Sequence, residues 1–293
     1  MQVSFSIWFQ ELFSNFRAIF DVFFAICSFF GEELFFMVVF VLCYYILDKE
    51  LAKKFAITSI VAVGTCIGLK ELCKVERPIE DPEVRFVLLD NYFVNTKNLV
   101  GTYSFPSGHA ILSAALFTSI GLNLKNKRFW IVSVFLILLV SMSRIYLGVH
   151  FLIDCIVGIV LGIIIAYLMY RLYDKIKDKE YIIYLALIAF ASFLLIFAKN
   201  VDDYKIIGAI YGYSLGMILE KRFVSFDAKE GTIIKKILRL IIGLILIIGL
   251  KEGIKLLFNL IDAELVILHL LRYFIIAIVA IFVYPLIFKK VKL

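Results

Sequence analysis

Apolar residues run along this chain in long blocks, cut by short polar breaks, the pattern of a chain that crosses a lipid bilayer repeatedly. A crossing helix needs about 20 apolar residues, fewer where it is re-entrant or ends in polar groups. The sequence therefore predicts an all-α fold. Residues 1–15, rich in Phe and carrying Trp8, read as an amphipathic start lying at the membrane interface. Spans follow at 16–30, 34–47, 55–73, 107–124, 129–147 and 150–171, the first two separated only by Gly31-Glu32-Glu33. Four further apolar regions, at 181–198, 206–219, 237–250 and 265–288, form a C-terminal extension. The expected organisation is a six-helix core in residues 1–175, then an extension, 176–293, of about four more transmembrane helices.

Composition supports a polytopic membrane protein: 63% of the 293 residues are apolar, and the mean hydropathy is +0.99. The net charge of +7 raises the question of a nucleic-acid partner. No soluble basic domain or aromatic-basic interleaving exists, so none is expected. The loops give a better account. Residues 48–54, 125–128, 171–180, 220–236 and the tail Lys289, Lys290 and Lys292 hold about eighteen basic residues, against about ten in the alternate set. The positive-inside rule makes the richer set cytoplasmic, with both termini. The N-terminus lacks a basic start, and Glu11 and Arg17 interrupt its apolar residues, so no cleavable signal peptide is expected. Five cysteines (Cys27, Cys43, Cys66, Cys73, Cys155) form no C-x-x-C pair and read as small packing residues. Gly64/Gly68, Gly158/Gly162 and Gly208/Gly212/Gly216 have spacings that let helices approach closely.

Three short motifs stand out because ionisable groups at the ends of apolar spans are costly. Lys70 is followed by Arg77-Pro78; Pro106-Ser107-Gly108-His109 opens the fourth span; Ser143-Arg144 is followed by His150 and Asp154. All three fall on the predicted non-cytoplasmic side. His150 and Asp154, four apart, share a helix face, where the carboxylate fixes the imidazole tautomer and leaves the other nitrogen free to attack phosphorus. Pro106 suits the first turn of a helix, with the Ser107 and Gly108 N–H groups behind it forming an anion site. Lys70 and Arg77, two helical turns apart, can point the same way and with Arg144 supply charge for a phosphate. Ser143 reads as a small residue supporting Arg144. His269, the remaining histidine of three, reads as a packing residue, and Lys74 and Lys97 as interfacial cations. Asp81, Glu83 and Asp90 share the outer loop without metal-ligand spacing, so no metal and no cofactor is expected.

The three motifs, Lys70-x6-Arg77-Pro78, Pro106-Ser107-Gly108-His109 and Ser143-Arg144-x5-His150-x3-Asp154, closely resemble the signature of the type 2 phosphatidic acid phosphatase family. The resemblance covers residues 20 to 175. It implies a phosphatase core in which His150 is the nucleophile, forming a phosphohistidine, and Asp154 orients it. His109 then protonates the departing oxygen and later activates water, while Lys70, Arg77, Ser107, Gly108 and Arg144 bind phosphate.

A site at the membrane boundary favours a membrane lipid as substrate: phosphatidic acid, phosphatidylglycerol phosphate, a sphingoid-base phosphate, or a polyprenyl mono- or diphosphate. A Lys- and Ile-rich composition points to a bacterial plasma membrane with the site facing outward, and so to undecaprenyl pyrophosphate. Three rivals stand beside this reading: a phosphotransferase delivering the group to a lipid or sugar, a haloperoxidase, and a lipid transporter or flippase. The apolar regions count against the soluble haloperoxidases. The extension has no comparable ionisable constellation, and its open roles are a homo-oligomer interface, lipid entry or regulation.

Overall fold

The computed structural model describes residues 2–90, 94–259 and 265–291. Residues 91–93 of the long motif-side loop and Lys292 of the basic tail lie outside them. The described residues are all-α. The helices are α1 (Gln2–Glu11), α2 (Arg17–Phe29), α3 (Glu33–Leu42, continued by a π turn, Cys43–Leu47), α4 (Lys49–Cys73), α5 (Gly108–Leu124), α6 (Lys127–Tyr146) and α7 (Leu152–Ile176). Beyond them come α8 (Tyr181–Leu194), α9 (Val201–Phe223), α10 (Ile233–Asn259), α11 (Val266–Ile278) and α12 (Tyr284–Lys290).

Among the described residues, four stretches are long and apolar enough to cross a membrane: Lys49–Cys73, Lys127–Tyr146, Leu152–Lys179 and Val266–Lys290. A fifth arises if α1 and Ser14–Phe29, bent by 50° at their junction, make one broken span. Fewer helices than the ten expected pass this test of length and composition, for two reasons. Glu33–Leu47, α5 and α8 are apolar but short. By contrast, α9 and α10 are long, yet charges at Asp202, Asp203, Lys205 and Glu220, and at Arg239, Lys251, Glu252 and Lys255, break their apolar windows. Nor does α1 simply lie at an interface. It buries Ser6, Phe9 and Gln10, and the Gln10 side-chain amide donates to the carbonyls of Arg85 (2.7 Å) and Tyr146 (2.8 Å).

The chain forms two compact units, one of Met1–Met37 and Lys54–Arg171, the other of Val38–Lys53 and Leu172–Leu293. In the first, α5 is the central element, with Ala110, Ile111 and Ser113 to Gly121 buried. Small residues bring α7 against it. A Cβ at Gly158 would come within 2.9 Å of the Ser107 carbonyl, and one at Gly162 within 2.6 Å of the Ile111 carbonyl. Gly68 does not follow this rule: open space lies beside it, which removes it from the expected packing set.

In the second unit, Gly208 and Gly212 let α9 pack against the α11 backbone at Leu270 and Phe274. Two buried carboxylates here are matched by pairing, which offsets the cost of burying charge. Glu220 is fully buried and sits 2.6 Å from Lys49. It also accepts from the Phe226 amide at 3.1 Å. Glu180 binds Lys53 at 3.1 Å and Lys221 at 2.6 Å. The charges that end α9 therefore hold this unit together. His269 belongs to the same unit, on α11.

Candidate active site

All three motifs lie in the first unit, carried by α4, α5, α6, α7 and their connections. Lys70 sits in the last turn of α4, which ends at Cys73, and Lys74 takes a left-handed conformation there (φ 51°). Arg77 is therefore not two turns along the same helix. Proline disfavours helical geometry in the residue before it, and Arg77 is extended (φ −83°, ψ 155°) ahead of the short turn Pro78–Glu80. The loop carries its guanidinium inward, where Arg77 is buried. Its Nε donates to the Thr102 carbonyl (3.1 Å) and hydroxyl (3.0 Å), and its Nη1 to the Val149 carbonyl (2.8 Å) and His150 Nε2 (3.0 Å).

That last contact settles the state of His150. A guanidinium has no acceptor, so Nε2 must present its lone pair, and the neutral imidazole carries its proton on Nδ1. Nδ1 lies 3.3 Å from the Ser104 hydroxyl and 3.5 Å from Asp154 Oδ2. Ser104 bridges the two, its hydroxyl donating to Asp154 Oδ2 in a very short bond. Asp154, in the first turn of α7, also accepts from the Phe151 amide at 2.8 Å. His150 itself lies in the turn between α6 and α7. Gly148 makes that turn at φ 74°, and a Cβ there would come within 2.5 Å of the Arg85 carbonyl oxygen. Burial first, then the charges of Arg77, Arg144 and Lys70, push the His150 imidazole well below the usual histidine range. A neutral Nε2 is the form that can attack.

Arg144 ends α6 and is completely buried. Its Nη1 donates to the Ser28 hydroxyl at 2.6 Å. Its Nε and Nη2 have no hydrogen-bond partner among the described residues. Two buried charged donors without an acceptor are an expensive arrangement in a structural role and a useful one for holding an anion. Ser143 beside it donates to the Val140 carbonyl (2.6 Å), a helix-internal bond.

The Pro106–His109 segment differs from expectation in detail. Pro106 precedes the N-cap Ser107 rather than occupying the first turn of α5, which begins at Gly108. The Ser107 amide donates to the Asp154 carbonyl (3.1 Å), which takes it out of the expected pair of anion-facing N–H groups. The Ser107 side chain caps α5 through the Ala110 amide (3.5 Å). His109, second in α5, places Nε2 2.9 Å from Glu32 Oε1. Lys70 is half-buried, and its charge acts on both histidines and on Asp154.

Sequence reasoning missed four residues that contact the motif side chains: Ser28, Glu32, Thr102 and Ser104. Only Ser104, two residues before Pro106, had any positional signal. In the loop between α4 and α5, Lys97 pairs with Asp90 at 3.0 Å on the surface. No group of three or more His, Cys, Asp or Glu among the described residues could hold a metal ion.

Comparison with known proteins finds two family profiles and several relatives. The profile of the PAP2 superfamily matches residues 51–178, and that of the PAP2 superfamily phosphatase, transmembrane extension, matches residues 204–293. The chain is similar to sphingosine-1-phosphate phosphatase 1 of Mus musculus, 26% identical over 77% of this chain and 57% of that protein. It is similar to undecaprenyl-diphosphatase of Sulfolobus acidocaldarius, 33% identical over 40% of this chain and 54% of that protein. With lipid A 4′-phosphatase of Porphyromonas gingivalis it shares 41% identity over 27% of this chain and 34% of that protein. The chain thus spans 34% to 57% of the length of these three relatives. No solved structure matches.

Proposed function

Because the chain belongs to the PAP2 superfamily of membrane phosphatases, we propose that it hydrolyses a lipid phosphate or diphosphate through a phosphohistidine on His150. The observation that carries the proposal is the pairing of a neutral His150 Nε2, held by Arg77 at 3.0 Å, with a buried Arg144 whose Nε and Nη2 have no acceptor among the described residues.

As substrate enters, Arg77 Nη1 passes from Nε2 to a phosphate oxygen, and the freed Nε2 lone pair attacks phosphorus in line with the ester or anhydride oxygen, which leaves with the bonding pair. Arg77, Arg144 and Lys70 meet the non-bridging oxygens, where phosphoryl transfer concentrates its charge. Asp154 and Ser104 hold the Nδ1–H, so the imidazole gains a full bond to phosphorus without losing its orientation. His109 gives a proton to the departing oxygen, then takes one from the water that cleaves the phosphohistidine. Three cations supply the charge neutralisation here, so turnover is metal-independent.

In sequence order the motif residues fall in the connections that alternate with the basic loops, which supports a site at the non-cytoplasmic face of a bacterial plasma membrane, with both termini cytoplasmic. Two substrates lead. Undecaprenyl diphosphate follows from composition and the undecaprenyl-diphosphatase relative. A sphingoid-base phosphate is favoured by the alignment to sphingosine-1-phosphate phosphatase 1, which covers 77% of the chain. The core, residues 1–175, carries the chemistry, and the extension, 176–293, has no catalytic residue.

The test is phosphate release by detergent-purified wild type and His150→Ala protein, with chelator present. The panel is phosphatidic acid, phosphatidylglycerol phosphate, sphingosine phosphate and undecaprenyl pyrophosphate. Release by wild type alone is expected. No release from any lipid would overturn the proposal and favour a transferase or transport role.

A further inference from the structure

We infer that the turn between α2 and α3 completes the catalytic site, with Glu32 as the positioning carboxylate of His109; the inference rests on the phosphohistidine reading. Three contacts from one short stretch carry it. Ser28 accepts from Arg144 Nη1 at 2.6 Å. Gly31 lies directly on the His109 ring, where a Cβ would come within 3.1 Å of His109 Cβ and Cδ2 and within 2.8 Å of Val140 Cγ1. Glu32 Oε1 sits 2.9 Å from His109 Nε2, with 20% and 18% of the two side chains exposed. The stretch thus touches both an oxyanion-binding arginine and the acid–base histidine. It lies outside residues 51–178, which the superfamily profile matches.

The chemistry explains why a carboxylate belongs there. In the second half-reaction a water oxygen attacks the phosphorus on His150. The P–N bond breaks and its electron pair returns to Nε2. The water's proton passes to His109, and inorganic phosphate is released. His109 must become a cation at that moment while the charges of Arg144 and Lys70 act on it. Glu32 supplies the opposing charge. It accepts the Nε2–H, which leaves the Nδ1 lone pair to take the proton and fixes the tautomer, as a carboxylate does for other catalytic imidazoles. The site therefore holds two carboxylate–histidine pairs: Asp154 with the nucleophile and Glu32 with the acid–base group.

The probe is 18O-labelled inorganic phosphate, because reversible phosphohistidine formation exchanges phosphate oxygens with water whatever the lipid substrate. Wild type should exchange and His150→Ala should not. Glu32→Gln keeps the size and an acceptor oxygen but removes the charge. It should lower the maximal exchange rate about tenfold or more at an unchanged half-saturating phosphate concentration, and Glu32→Asp should recover part of the loss. A Glu32→Gln rate matching wild type overturns the inference, as does a defect confined to half-saturation, which would mark a binding or folding role. Absence of exchange and of lipid hydrolysis in wild type would instead remove the phosphohistidine reading, and this inference with it.

Discussion

Replacing Ser104 with Ala removes one hydroxyl from between His150 and Asp154. Asp154 Oδ2 accepts from Ser104 and from the Phe151 amide, while Oδ1 is buried with no partner among the described residues. The substitution therefore halves the donors on a buried carboxylate. It also leaves His150 Nδ1 to reach Asp154 unaided across 3.5 Å. A hydrogen bond to a charged group contributes about 1.5–3 kcal/mol. If most of that is expressed at the transition state, the rate falls about ten- to hundredfold, at about 1.4 kcal/mol per decade. Because Ser104 acts on orientation and does not bind phosphate, kcat should fall while KM holds. Steady-state kinetics on detergent-purified Ser104→Ala, Asp154→Asn and the double variant check this. In the double variant the Ser104 effect should largely vanish, since both act through one histidine. Wild-type kcat in Ser104→Ala, or fully additive losses in the double variant, would refute the reasoning.

Arg144→Met should lose about a hundredfold or more in turnover, the scale of one lost oxyanion donor, with a melting temperature equal to or above wild type. The reason is that its buried Nε and Nη2 have no hydrogen-bond partner among the described residues to offset their desolvation; thermal unfolding showing a clear loss of stability would contradict this. Inorganic phosphate should raise the wild-type melting temperature by binding only the folded state, and should do so far less in Arg144→Met. In the second unit, Lys49→Met strands the buried Glu220 and should cost about 3–5 kcal/mol. Adding Glu220→Leu should recover most of the loss in urea unfolding; no recovery would mean that the 2.6 Å pair is not the source of the effect.

The three motifs were legible because charge in an apolar chain stands out, and the structure places all of them in one unit. What surrounds them was not. Arg77 was read along a helix because seven residues make two turns, yet Pro78 dictates an extended predecessor and turns Arg77 inward from a loop. Ser28, Thr102 and Ser104 are small polar residues in runs where such residues usually bond their own backbone, so nothing local marks them as partners. Glu32 was read only as a break between spans, since its role exists only once α5 packs against that turn. Helix positions along the chain were readable from apolar periodicity. Which helices are long and apolar enough to cross was less so, because α9 and α10 look apolar while carrying charges whose partners, such as Lys49 for Glu220, lie far away in sequence.

The central claim is that His150 becomes covalently phosphorylated. The most direct measurement is to quench wild-type protein in alkali during turnover of a 32P-labelled lipid phosphate, where phosphohistidine survives, and to map the labelled residue by mass spectrometry. The account predicts label on His150, absent in His150→Ala. Label on another residue, or lipid hydrolysis by wild type with no covalent label, would contradict it.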